Sequence, residues 1–343
     1  MLKTTLLATT VAALCLAVPS TSQAKDKKKR TVVKVATVAP KGTPWSELMD
    51  RFKRRAKKLT KGKIKTKIYY GGKLGGEKET IRETRDGRVH MWGGSAAAVA
   101  TIVPELYIVE APYLFSSSEE ADFVLDNYAR KPVEELLAKK GFVFYQWAEN
   151  GWHGLAKRGG CIEKLSDLKG VRIRSQEAAI HLDSLKAMGA SPVEMAVPEV
   201  LQSLQTGVVD GFSNTPLFSF ATSWYQGIDS FTTTNHVYQP AIILYSKKWF
   251  DKQPEDMKKI LLSDRAKDQK FGRDGVRLLK DGLLDNFRKA GKKVCEMSDA
   301  NRAELKKATS KIFAKYKKKY GKRGGKLFKA IEDGKKAWAK KNK

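Results

Sequence analysis

The segment from Asp167 to Pro216 constrains the fold of this chain more than any other. Val171 and Ile173 alternate with Arg172 and Arg174, as in a strand with one apolar face. Pro198 holds a first-turn position, Glu199-Val200-Leu201-Gln202-Ser203-Leu204-Gln205-Thr206 reads as a helix, and Gly207 stops it. Gly207-Val208-Val209-Asp210-Gly211-Phe212-Ser213-Asn214 then supplies the next strand. Strand-helix-strand units hold their ligands beyond the carboxyl ends of the strands, where Arg174 and Asn214 both fall. An arginine placed there is a carboxylate clamp, because its planar fork of donors matches two oxygens and stays charged at any physiological pH.

The same alternation runs through the rest of the chain. Thr31 to Thr37 reads as a strand, and Pro44 to Lys58 carries helical apolar spacing at Trp45, Leu48, Met49, Phe52 and Ala56. A strand at 63–70 and a glycine-rich loop at 71–76 follow, then a helix from Glu77 to Asp86 closed by Gly87 and a strand at 89–92. Ser117 caps a helix with an acidic first turn, a second helix runs through Pro132 to Lys140, and Phe142 to Trp147 is again a strand. With 343 residues the chain is long enough for two cores. The first crossing between them is expected at Glu149-Asn150-Gly151-Trp152-His153 and the return between Phe231 and Tyr245. This gives a first lobe of residues 30–150 with 240–278 and a second of 151–239 with 279–343. A helical stretch from Pro254 to Ala290 is long enough to lie across both. The tail from Ala300 to Lys340 is expected to be helical, broken at Gly321 and Gly324-Gly325, and docked on the second lobe through Phe313, Tyr316, Tyr320, Leu327, Phe328 and Ile331.

Residues 1–24 read as a cleaved secretory signal peptide: Lys3, a soft apolar stretch from Leu6 to Val18, then Ser22-Gln23-Ala24. The apolar stretch falls short of the about 20 residues a spanning helix needs. Beyond Cys15 the chain has only Cys161 and Cys295, which an oxidising compartment allows to pair or to remain as thiols. The net charge is +29, and the last thirty-three residues carry 14 Lys and Arg against Glu332 and Asp333. A solvated face is the plain reading of such runs. Weak contact with an anionic membrane or cell-wall surface is the alternative, and nucleic acid has no motif support.

Catalysis finds no footing. None of His90, His153, His181 and His236 is spaced with another His, Cys or carboxylate as a zinc site requires, and there is no GxSxG elbow. His181 is expected to be a partly exposed helix residue. The loop Gly71-Gly72-Lys73-Leu74-Gly75-Gly76 lacks the GxxxxGK[ST] pattern of a phosphate cradle and reads as a turn. No metal and no cofactor are expected.

Several segments, in order, resemble the DctP-like solute-binding proteins of tripartite ATP-independent periplasmic (TRAP) transporters. They are Leu74-Gly75-Gly76-Glu77 with Asp86-Gly87, Val103-Pro104-Glu105 with Ala111-Pro112-Tyr113-Leu114-Phe115, Asp167-Leu168-Lys169-Gly170 with Ile173-Arg174, Met188-Gly189-Ala190, and Leu204 to Gly211. The resemblance covers nearly the whole chain after residue 24. It implies an α/β, two-domain periplasmic binding protein fold, with a cleft between the lobes and a long hinge-spanning helix. It further implies a periplasmic receptor that binds an organic acid without catalysis and delivers it to a membrane permease. Arg174 matches the arginine that pairs with the ligand carboxylate, and Asn214 a polar residue that steadies it, with a local turn or capping role as its rival. His153 stands where many members carry a second arginine, which argues against a dicarboxylate ligand. Val197 stands where an aromatic often sits. Trp92, Ser95 and Trp152 are further candidates to line the pocket, each with a packing role as the alternative.

Overall fold

The structure, a computed structural model, describes residues 30–342. The signal-peptide expectation at 1–24 lies outside the described residues. Two sheets organise the chain. The first has the order β2-β1-β3-β10-β4, built from Thr31–Ala36 (β1), Ile64–Tyr69 (β2), Met91–Ser95 (β3), Phe142–Trp152 (β4) and Tyr238–Ser246 (β10). The second has the order β11-β9-β5-β8-β6-β7, from Gly154–Lys157 (β5), Arg172–Ser175 (β6), Ser191–Glu194 (β7), Gly211–Asn214 (β8), Ser230–Thr233 (β9) and Lys293–Glu296 (β11). Helices cover the faces, so the central strands are buried on both sides and read as apolar runs, β10 being buried along its whole length.

Two segments link the sheets. Strand β4 leaves the first sheet at Trp152 and the chain enters the second at Gly154, while β9 returns through 234–237 to β10. The two crossings run side by side: Trp152 pairs with Tyr238, and the His153 amide donates to the Val237 carbonyl at 2.9 Å. Gly151 makes the bend at φ +104°, a conformation that side chains rarely adopt. The helix Pro44–Leu59 buries Trp45, Leu48, Met49, Phe52 and Ala56, the apolar stripe of its sequence, against β1 and β10 residues such as Val33, Val35 and Ile243.

Two long-range expectations change. The stretch from 254 to 290 is three helices, Glu255–Leu261, Arg265–Leu278 and Lys280–Lys289. The first break comes at Asp264, whose backbone is left-handed. The middle helix is bound to the first lobe by Arg273 and Arg277, which pair with Asp122, Asp126 and Glu149. In the third, Phe287 packs in the second-lobe core beside Phe231. Together these two helices cross the hinge.

The tail also departs from expectation. Ile312–Lys341 is one unbroken helix of 30 residues, and its inward face of Ile312, Tyr316, Leu327, Phe328 and Ile331 joins the first-lobe core with Leu106, Val124, Leu125 and Val133. Its glycines do not break it, because two of them are contact points. A Cβ on Gly324 would lie 3.1 Å from Glu105, and one on Gly334 3.0 Å from Tyr128. Close approach there outweighs the cost of about 1 kcal/mol for glycine in a helix.

Candidate binding cavity

Strand β6 brings Arg174 to its site by alternation. Arg172 faces out and pairs with Asp210 at 2.5 Å, while Arg174 faces in and is 2% exposed. The Nε and Nη2 of Arg174 donate to the Met195 carbonyl at 3.1 and 2.8 Å, and its guanidinium lies 4.9 Å from the centre of the Trp224 ring. Burial pulls its pKa down to about 10, against the upward pull of Glu77, Glu177 and Glu199, so it remains charged at neutral pH. The protein's hydrogen bonds use Nε and Nη2; Nη1 and the second proton of Nη2 are left to form a fork.

Asn214, at the end of β8, has its Oδ1 taken by the Thr215 amide at 2.7 Å, which leaves its side-chain N–H groups as donors. The local turn bond therefore does not use up the amide donors. Both residues line a cavity of about 450 Å³, counting its mouth, whose walls include Thr37, Trp45, Glu77, Ser95, Asn150, Gln176, Val197, Phe218 and Gln239. Its walls come from both sheets and from the crossing strands.

Glu77 is the counterweight to Arg174. It opens the helix Glu77–Asp86 and accepts from the Ser95 amide at 2.8 Å and the Ser95 hydroxyl at 2.6 Å. Burial raises its pKa, with the nearby Glu110 adding to the effect and Ser95 and Arg174 opposing it. Glu77, Asn150, Gln176 and Gln239 were not singled out by sequence reasoning. Glu77 read only as a helix start, and the others gather only when three separate segments fold together.

The remaining candidates divide. Ser95 and Val197 line the cavity. Trp92 does not: it is fully buried in the first-lobe core and donates from Nε1 to Thr80 at 3.0 Å. Trp152 lines a separate groove with Glu149, Arg277 and Met297, packed edge-on against Tyr238. His153 is also outside the cavity lining. Its Nδ1 lies 3.0 Å from the Ser213 hydroxyl, and its ring is packed 5.3 Å from His181 and 5.9 Å from His236. Burial first, then these two imidazoles, holds its pKa well below the usual histidine value, so an imidazolium contact with ligand is not what this position offers. His181 is buried as well, not partly exposed: its helix packs that face against the first lobe, where Glu110 meets it at 2.7 Å. Cys161 and Cys295 form a disulfide within the second lobe. Among the described residues no helix is long and apolar enough to cross a membrane.

Two α/β lobes hinged by paired crossing strands, with a charged cavity between them, define a receptor that encloses a small solute. The family described as bacterial extracellular solute-binding protein, family 7 (DctP), matches residues 35–319, and the chain belongs to it. It is a solute-binding component of the TRAP type and not an enzyme. The sugar acid binding protein DctPAm from Advenella mimigardefordensis, solved with galactonate, is 28% identical with a TM-score of 0.85, covering 90% of this chain and 99% of that one. A TRAP periplasmic solute binding protein from Citrobacter koseri with bound D-glucuronate is 31% identical at a TM-score of 0.82, covering 88% and 99%. The C4-dicarboxylate-binding periplasmic protein DctP from Rhodobacter capsulatus is 28% identical over 254 residues, 74% of each chain.

Proposed function

We propose that this protein is a periplasmic receptor for a monocarboxylate sugar acid, held by Arg174 and Asn214 and delivered to a TRAP-type permease. The observation that carries this reading is the polarity of the cavity. The fork of Arg174 and the amide of Asn214 offer donors to the cavity. The same lining carries the Glu77 carboxylate and the side-chain amides of Gln176, Gln239 and Asn150. A single carboxylate fits the Arg174 fork. Hydroxyl groups, which donate and accept, fit the amides, whereas another carboxylate would meet Glu77. The position at which a second arginine would meet such a group is His153, neutral and outside the cavity lining. Relatives solved with galactonate and D-glucuronate support the assignment, and the relative from Rhodobacter capsulatus represents the dicarboxylate alternative.

Adhesion to an anionic surface gains no support from the tail, because the apolar residues that would have entered a membrane are packed on the first lobe. The test is calorimetric titration of the purified protein with galactonate, D-glucuronate and succinate. The proposal expects both sugar acids to bind more tightly than succinate, and tighter binding of succinate would overturn it.

A further inference from the structure

Glu110 ends the turn Pro104–Glu110 in the first lobe and is fully buried, and it is not part of the cavity lining. Its carboxylate nevertheless governs that lining. Oε1 accepts from the Ala97 amide at 2.5 Å. Oε2 accepts from His181 Nε2 at 2.7 Å, Gln239 Nε2 at 3.0 Å and Gln176 Nε2 at 3.2 Å. Ala97 belongs to the first lobe, Gln239 to the crossing strand β10, and Gln176 and His181 to the second lobe. One buried carboxylate thus gathers both lobes and the crossing strand at the edge of the cavity.

A carboxylate only accepts, so every partner must turn an N–H toward it. This fixes the His181 tautomer with its proton on Nε2 and sets the orientation of both glutamine amides. Gln239 gives its second N–H to Gln176 Oε1 at 2.8 Å, and its own Oε1 takes Asn150 Nδ2 at 2.9 Å. Both donors of Gln239 are therefore consumed within the protein. What Gln239 offers a solute is Oε1 alone, which His153 also approaches, and Gln176 keeps one N–H and one lone pair.

We propose that Glu110 is a positioning residue for solute selectivity. By drawing the glutamine NH₂ groups away, it leaves an acceptor-rich wall that favours acids bearing hydroxyl groups over acids of the same length without them. The inference rests on the sugar-acid reading and deepens it.

The experiment titrates galactonate and hexanoate, six-carbon acids with and without hydroxyls, against wild type, Glu110→Gln and Gln239→Met. Glu110→Gln keeps the shape but adds a donor, so the amides lose their imposed orientation. The expected result is a loss of about tenfold or more in galactonate affinity, the scale of one or two hydrogen bonds, with hexanoate changed by less than about twofold. Gln239→Met, which leaves the Glu110 side chain itself in place and removes one of its donors, should narrow the same ratio. Equal loss for both acids in Glu110→Gln, as a merely structural role would give, overturns the proposal, and so does an unchanged ratio in Gln239→Met. Wild type that fails to prefer galactonate over hexanoate overturns the sugar-acid reading along with it.

Discussion

The guanidinium carbon of Arg174 lies over the Trp224 ring, 4.9 Å from its centre, while the group donates twice to the Met195 carbonyl. The indole and the carbonyl hold the side chain before any solute arrives, so little rotamer entropy remains to be lost on binding. The cavity therefore meets its ligand with a fixed fork instead of a mobile charge.

Replacing this fork should be costly even when the charge is kept. Arg174→Lys retains a cation but loses the paired donors, and Arg174→Ala loses everything. Calorimetry should show galactonate affinity falling by about 1.5–3 kcal/mol or more in the alanine variant, with lysine recovering less than half of it. Full recovery by lysine would mean that charge alone, without geometry, holds the carboxylate.

Glu77 brings an acidic group to the cavity. Its raised pKa shows that burial makes its anion expensive, and a second anionic group on the ligand adds to that expense. Glu77→Gln should therefore improve binding of the dicarboxylate galactarate relative to galactonate, read as a change in the ratio of dissociation constants. A constant ratio would remove Glu77 from specificity.

His153 and His236 make stability depend on acid. Both are buried and neutral, His153 well below the usual histidine pKa and His236 pushed down to about 3 by burial and then by His181. Their folded values lie beneath the unfolded value of about 6.5, so the unfolded chain binds more protons. The stability they contribute is present above about pH 6.5 and is lost as pH falls toward the folded values. Melting temperature should drop from about pH 6.5 downward, and His236→Gln should flatten that slope. An identical slope in the variant would assign the acid sensitivity to other groups.

Two glycines of the terminal helix should behave oppositely. Gly334→Val would push a Cβ to 3.0 Å from Tyr128 and is expected to destabilise by about 1–3 kcal/mol. Gly325→Ala meets nothing within 4 Å and should stabilise by up to about 1 kcal/mol. Denaturant titration of the two variants compares them directly, and equal effects would contradict the close packing at Gly334.

What the sequence determined by itself was whatever depends on neighbours along the chain. The alternating face of Val171 to Arg174, the stripe from Trp45 to Ala56 and the stop at Gly87 all appear where local periodicity and capping put them. The ordered motifs of the family gave the two-lobed architecture. Tertiary structure decided what depends on distance. His181 looked like a surface residue until its helix was laid against Glu110, 71 positions earlier in the chain. For Trp92 the sequence left a pocket role and a packing role open, and the contact with Thr80 inside the core decides for packing. Gly324 read as part of a break because propensity is local, whereas its close approach to Glu105 is not. The polar wall of Glu77, Asn150, Gln176 and Gln239 has no sequence signature for the same reason: its members meet only when both sheets and their crossing strands are in place.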